Sequence, residues 1–187
     1  FGDLMFFRPL PNDFRLAIYV KATPRPEASK EKGLGSVYTQ EFAYTAIVLD
    51  ADNTRVRLYD LEAFFPGILE MNNVATDGNV LYFDVNYNGY AEIAKKKTGY
   101  LVAMDVIKGT VLWSTPALTS SYAGFVVVGD HIVAGYGFTD EPDYLYVVNR
   151  HTGAIEQKQK LKTAHEMLFV KGNRLYSRTY NMDYVFE

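Results

Sequence analysis

The chain has 187 residues, a formal net charge of −3 and no cysteine. That length is enough to bury a core as one domain, while the lack of cysteine excludes a disulfide framework, a thiolate nucleophile and a thiolate zinc site. Lys and Arg are scattered, which leaves no basic face for nucleic acid, and no apolar run approaches the roughly 20 residues of a transmembrane helix.

The 15 Tyr and 12 Phe favour pleated, half-buried strands, so an all-β fold is expected. In chain order, Leu4 to Arg8 and Phe14 to Val20 flank Pro11-Asn12-Asp13 and read as a hairpin. Asp50-Ala51-Asp52-Asn53-Thr54 reads as a second turn, its first carboxylate accepting backbone N–H groups and Asn53 taking the left-handed position. Glu62 to Met71 and Ala91 to Lys97 have room for single helical turns at most, and Pro66-Gly67 interrupts the former. Gly followed by Asn or Asp between apolar runs marks further hairpins at Gly78-Asn79, Gly129-Asp130 and Gly172-Asn173.

One stretch occurs twice. Ala103-Met104-Asp105-Val106-Ile107-Lys108-Gly109-Thr110-Val111-Leu112-Trp113 returns 44 residues on as Val147 to Gln157, with Asn149 under Asp105 and Gly153 under Gly109. A fixed period signals an array of like units. Each unit has a hairpin turning at the Gly-Asn/Asp marker, a variable loop, and a hairpin turning at the Asp-to-Gly marker, which makes four strands. Units are expected at about 1–62, 72–118 and 122–162, with a partial one at 165–187 that lacks its fourth strand.

The pattern Ala103, Asp105, Gly109 and Trp113 resembles the tryptophan-docking repeat of the pyrroloquinoline-quinone-like β-propellers. The third unit matches moderately through Asn149, Gly153 and Gln157, and the first weakly through Asp50, Thr54 and Leu58. The resemblance implies an all-β propeller segment of about four antiparallel four-stranded blades, the last incomplete. It makes Trp113 a structural residue that docks on the neighbouring blade. Such rings usually close at seven or eight blades, so the remaining blades would come from the same longer chain, which we favour, or from a second copy. Quinone-dependent members are longer, often carry a vicinal disulfide, and hold calcium and the quinone on the ring axis. This chain has no cysteine and about half the blades, so no cofactor is expected. The resemblance further implies a non-catalytic binding or scaffolding module that holds a protein or glycan partner, in a periplasmic, outer-membrane-associated or secreted location. The alternative is a portion of a propeller enzyme (hydrolase, lyase or quinone-dependent oxidoreductase) with its active site on the ring axis.

Candidate binding residues lie in the long connections Thr23 to Gln40, Asn86 to Thr98 and Tyr136 to Pro142, which emerge on one face of a propeller. Tyr87, Asn88 and Tyr90, with Tyr136 and Tyr180, combine flat apolar contact with adaptable hydrogen bonding, the composition of recognition surfaces. Asp140, Glu141 and Asp143 are weak candidates for calcium, which takes six to eight oxygens, but they lack EF-hand spacing and read first as a solvated acidic loop. His131, His151 and His165 have no partners at ligand spacing, and His131 and His151 fall in expected turns. No Gly-x-Ser-x-Gly elbow and no phosphate-cradling glycine loop are present, so no catalytic residue is assigned. The alternating lysines of Ile155 to Lys162 read as protection of an outer edge strand.

Overall fold

The computed structural model describes residues 2–24, 40–65, 70–87, 95–138 and 141–187. Its strands form successive antiparallel meanders. The first sheet holds β1 (Asp3–Pro9), β2 (Arg15–Pro24), β3 (Gln40–Leu49) and β4 (Arg55–Asp60), in that spatial order. A single helical turn, α1 (Leu61–Phe64), follows, capped by Asp60, whose carboxylate accepts the Glu62 N–H at 3.1 Å. The second sheet holds β5 (Val74–Asp77), β6 (Val80–Val85), β7 (Tyr100–Asp105) and β8 (Thr110–Ser114). The third holds β9 (Phe125–Val128), β10 (His131–Tyr136), β11 (Tyr144–Asn149) and β12 (Ile155–Lys160). The last holds β13 (His165–Lys171), β14 (Arg174–Thr179) and β15 (Asp183–Phe186). No helix among the described residues is long and apolar enough to cross a membrane.

Turn chemistry sets this topology. Asn12 and Asp13 both have φ near +60°, the pattern of a type I′ turn. At Gly78, Gly129 and Gly172 only the first central residue has positive φ, the pattern of type II′. In the second hairpin of each unit a side-chain oxygen caps the turn. Asp105 accepts from the N–H groups of Ile107 and Lys108 at 3.0 and 2.9 Å, and Asn149 from those of His151 and Thr152 at 3.0 and 3.2 Å. Asp50 accepts from those of Asp52 and Thr54 at 3.0 and 2.8 Å, with Asn53 left-handed at φ 62°. A bulge follows all three turns, at Val56, Leu112 and Glu156.

The sheets pack face on face, as propeller blades do. Strand alternation divides each middle strand between two neighbours. Leu81, Phe83 and Val85 join Leu16, Ile18 and Val48 in the core between the first and second blades. Tyr82 points the other way, with Leu101 and Ala103, to meet Ile132, Tyr136 and Val148 of the third blade. Val133, Leu145 and Leu161 meet Leu168, Leu175 and Tyr184 of the fourth. At about 25 cal/mol per Å² of apolar surface removed from water, this burial is the main source of stability.

Trp113 docks across the second interface. It is 8% exposed, its indole Nε1–H donates to the Arg150 carbonyl at 2.9 Å, and its ring lies flat on Gly153. In the first blade the equivalent contact is made by Tyr59 and not by Leu58, which is 44% exposed. The Tyr59 hydroxyl donates to the Val106 carbonyl at 2.9 Å and its ring lies against Gly109. The turn at Asp50 is one residue shorter and the bulge falls in the same place, so Arg57 takes the position of Trp113, Tyr59 two residues on shares its face, and Leu58 points the other way. Gln157, in the tryptophan column of the third unit, lies on the fully exposed β12. There Lys158 reaches back over the Tyr144 ring, 3.7 Å from its centroid.

Candidate functional site

The ends of β6, β10 and β14 lie beside the linker from β8 to β9, and this linker is tied down by backbone bonds. Thr115 N–H donates to the Leu101 carbonyl and Leu118 N–H to that of Thr98, both at 2.9 Å, and Ser120 N–H donates to that of Gly99 at 2.9 Å. The linker thereby carries Tyr122 to the end of the blades. Asp84 anchors it from below. Its fully buried carboxylate accepts from the N–H groups of Asn72 and Asn73 at 2.8 and 2.9 Å and from Asn73 Nδ2 at 2.7 Å. Asn73 Nδ2 also donates to the Tyr122 carbonyl at 3.2 Å. Burial pushes the Asp84 carboxyl up to about 6, against the pull of these donors.

Two hollows share Tyr122, Gly137 and Phe138. The smaller is a recess of about 40 Å³ bordered by Glu70, Asn86, Tyr87 and Tyr136, with room for about one water. Tyr87 is half-buried, and its N–H donates to Thr98 Oγ1 at 2.7 Å. Tyr136 is clamped: its ring lies against Gly99 and its hydroxyl donates to Glu141 at 2.5 Å. Burial, then the Glu141 bond and charge, raise its pKa far above the ordinary phenol value.

The larger hollow is a cleft of about 400 Å³ between the third and fourth blades. Tyr122, Phe138 and Tyr180 line it with Asp143 and Glu166, and Tyr122 and Tyr180 are 57% and 82% exposed. Gly137 belongs to its lining, two residues beyond Gly135 of β10. A Cβ on Gly137 would stand 2.1 Å from Asp143 Oδ1, and one on Gly135 would stand 2.4 Å from the His165 ring. Asp143 Oδ1 is buried there without a hydrogen-bond partner. Burial and the neighbouring Glu141 push the Asp143 carboxyl up, with Lys160 opposing. His165 lies 3.2 Å through Nε2 from the Gly124 carbonyl. A carbonyl only accepts, so Nε2 carries the proton, leaving Nδ1 buried without a donor. Burial pushes the imidazole pKa down to about 4.

The structure therefore brings Tyr87 and Tyr136 to one hollow and Tyr180 to the adjoining one. Asn88, Tyr90 and Asp140 lie outside the described residues. Glu141 receives the Tyr136 hydroxyl and Asp143 packs on Gly137, and among the described residues no three His, Asp or Glu side chains are placed to hold a metal ion. His131, expected in a turn, instead opens β10 and meets Glu156 at 2.9 Å. Tyr122 and Phe138, which join the hollows, were not singled out by sequence reasoning. The available signal for Tyr122 was an aromatic side chain in the polar linker Thr119-Ser120-Ser121-Tyr122.

No protein-family model matches the chain, and no curated protein matches it in sequence. Its fold is similar to that of the computationally designed Ika4 protein, with TM-score 0.57 and 11% identity over 99% of this chain and 91% of that one. It is also similar to the β-propeller domain of the trilobed protease from Pyrococcus furiosus, with TM-score 0.54 and 9% identity over 100% of this chain and 55% of that one. Sqt1 from Saccharomyces cerevisiae gives TM-score 0.53 and 10% identity over 98% of this chain and 58% of that one. The chain thus spans little more than half the length of the latter two. Identities this low show the fold alone, a β-propeller.

Proposed function

We propose that this propeller segment is a non-catalytic binding or scaffolding module that holds a protein or glycan partner on its long-loop face. The observation that carries the reading is the aromatic run at one end of the blades. Tyr87 and Tyr136 border the recess, Tyr122 and Phe138 bridge it to the cleft, and Tyr180 stands at the far side. Rigid aromatic side chains provide large contact areas at little entropic cost, and their hydroxyls add adaptable hydrogen bonds. Tyr136, only 7% exposed and held by Gly99 and Glu141, backs this surface from beneath, which preorganises it.

The finer family reading, a pyrroloquinoline-quinone-like repeat, is supported by the way Trp113 sits on Gly153 and bonds the Arg150 carbonyl. On that reading, further blades cover the apolar surfaces of the first and fourth blades, where Leu4, Phe7, Met167, Phe169 and Val185 are exposed. These blades belong to a longer chain or to a second copy.

The test is binding of the chain to arrayed glycans and peptides, repeated with the double variant Tyr122→Ala/Tyr180→Ala. Binding to one class, weakened about tenfold or more in the variant at unchanged melting temperature, is expected if the two tyrosines are anchors. Binding unaffected by the double substitution, or no binding to either class, overturns the reading.

A further inference from the structure

We propose that the cleft between the third and fourth blades receives a cationic side chain, a lysine ammonium or an arginine guanidinium, presented by a protein partner. The inference rests on the binding-face reading above and specifies its chemistry.

Three aromatic side chains, Tyr122, Phe138 and Tyr180, line a cleft of about 400 Å³ together with the carboxyl groups of Asp143 and Glu166. Aromatic faces attract cations through their quadrupole, and nearby carboxylates add charge complementarity. No Lys or Arg lines the cleft among the described residues. Two cations act on these carboxyl groups from outside the lining: Lys160 on Asp143, as the last of the influences there, and Arg178 on Glu166, although its guanidinium is forked onto Asp183 at 2.8 and 2.9 Å. Neither enters the lining, so the carboxyl groups meet the cleft with no cation inside it.

Hydrogen-bonding capacity favours the same occupant. Ionised carboxylates only accept, whereas ammonium and guanidinium groups only donate. Asp143 Oδ1 is buried without a donor, so the contact to the occupant falls to the exposed Glu166. The Thr163 hydroxyl, which could serve a neutral polar ligand, is already bonded to Asn181 Oδ1 at 3.2 Å. An anionic ligand would face two carboxyl groups. The volume equals that of roughly a dozen waters, enough for one long side chain with residual solvent. The open mouth, flanked by the exposed Tyr122 and Tyr180, suits a side chain projecting from a larger partner.

The experiment is a titration of the chain followed through the backbone amide resonances of Gly137, Thr163 and Ala164, using acetylated, amidated pentapeptides of glycine with a central lysine, arginine or norleucine, and chitotetraose as the saccharide probe. The lysine and arginine peptides are expected to shift these amides saturably, and the norleucine peptide and chitotetraose are not. Binding weakens with added salt. Glu166→Gln and Tyr180→Ala, both at exposed positions, each weaken it about fivefold, in keeping with a single cation–aromatic or charge contact. Equal binding of the norleucine peptide overturns the cation inference while leaving an apolar binding face intact. Shifts by chitotetraose alone overturn it in favour of a glycan on the same face. No shift with any probe overturns it outright, and the array experiment then judges the broader reading separately.

Discussion

Replacing Gly153 by Ala isolates the docking of Trp113. Gly153 has φ 74°, and a Cβ there would lie 2.7 Å from the indole Cδ2 and Cε3. Carbon atoms rest about 3.5 to 4.0 Å apart, so the ring must retreat by about 1 Å. Retreat breaks the 2.9 Å bond from Nε1 to the Arg150 carbonyl, worth about 1 kcal/mol, and disturbs a packed interface at about 1 to 3 kcal/mol. The left-handed backbone adds about 1 kcal/mol for any residue with a Cβ. The expected total is about 3 to 5 kcal/mol, similar to that for Trp113→Ala. Gly129→Ala supplies the control: its φ is 53° and nothing lies within 4 Å of the added Cβ, so it costs only the backbone share, about 1 kcal/mol. In a Trp113→Ala background, Gly153→Ala should likewise fall to about 1 kcal/mol, giving a coupling of about 2 to 4 kcal/mol. Urea unfolding followed by circular dichroism measures the four variants against the unaltered chain, and Trp113, the sole tryptophan, should shift its emission to the red in Gly153→Ala. Equal costs for Gly153→Ala and Gly129→Ala, or strict additivity in the double variant, would refute the docking argument.

Asp84 and His165 should oppose one another in acid. The folded Asp84 carboxyl is raised from 3.8 to about 6, so its contribution is full at low pH and is lost as pH rises through about 6. The folded His165 imidazole is lowered from 6.5 to about 4, so its contribution is full above 6.5 and is lost as pH falls towards 4. Each gap corresponds to about 3 kcal/mol. Relative to the unaltered chain, His165→Gln should therefore gain stability as pH falls from 6.5 to 4, and Asp84→Asn should lose it. Urea midpoints across that range check both, and parallel curves for the three proteins would sink the assignment. In the first blade, Tyr59→Ala should cost about 2 to 3 kcal/mol through lost packing and the lost bond to Val106, while Leu58→Ala should cost under about 1 kcal/mol. Thermal unfolding that ranks them the other way would return the docking role to Leu58.

Local chemistry was legible in the sequence wherever one short segment contains both partners of an interaction. The capped turns at Asp50, Asp105 and Asn149 and the hairpins at Gly78, Gly129 and Gly172 need only a few consecutive residues, and from their recurrence the four-stranded repeat and the all-β fold follow. Trp113 was readable as a docking residue only through the family resemblance that Ala103, Asp105 and Gly109 carry with it. Its counterpart was not: a turn one residue shorter than that at Asp105 puts Arg57 and Tyr59, and not Leu58, on the face that Trp113 occupies, since a one-residue change in register exchanges the faces of a strand. The candidate site was legible only in part. Tyr87, Tyr136 and Tyr180 stand out by composition, but their division between two hollows depends on how blades abut. The linker bonds that bring Tyr122 into place, and the bare face of Gly135 that admits His165, join residues far apart in the chain. Turn preferences are properties of the local backbone and so are written in sequence order, whereas a cleft between blades exists only once separate sheets have packed, and the tertiary structure alone decides its lining.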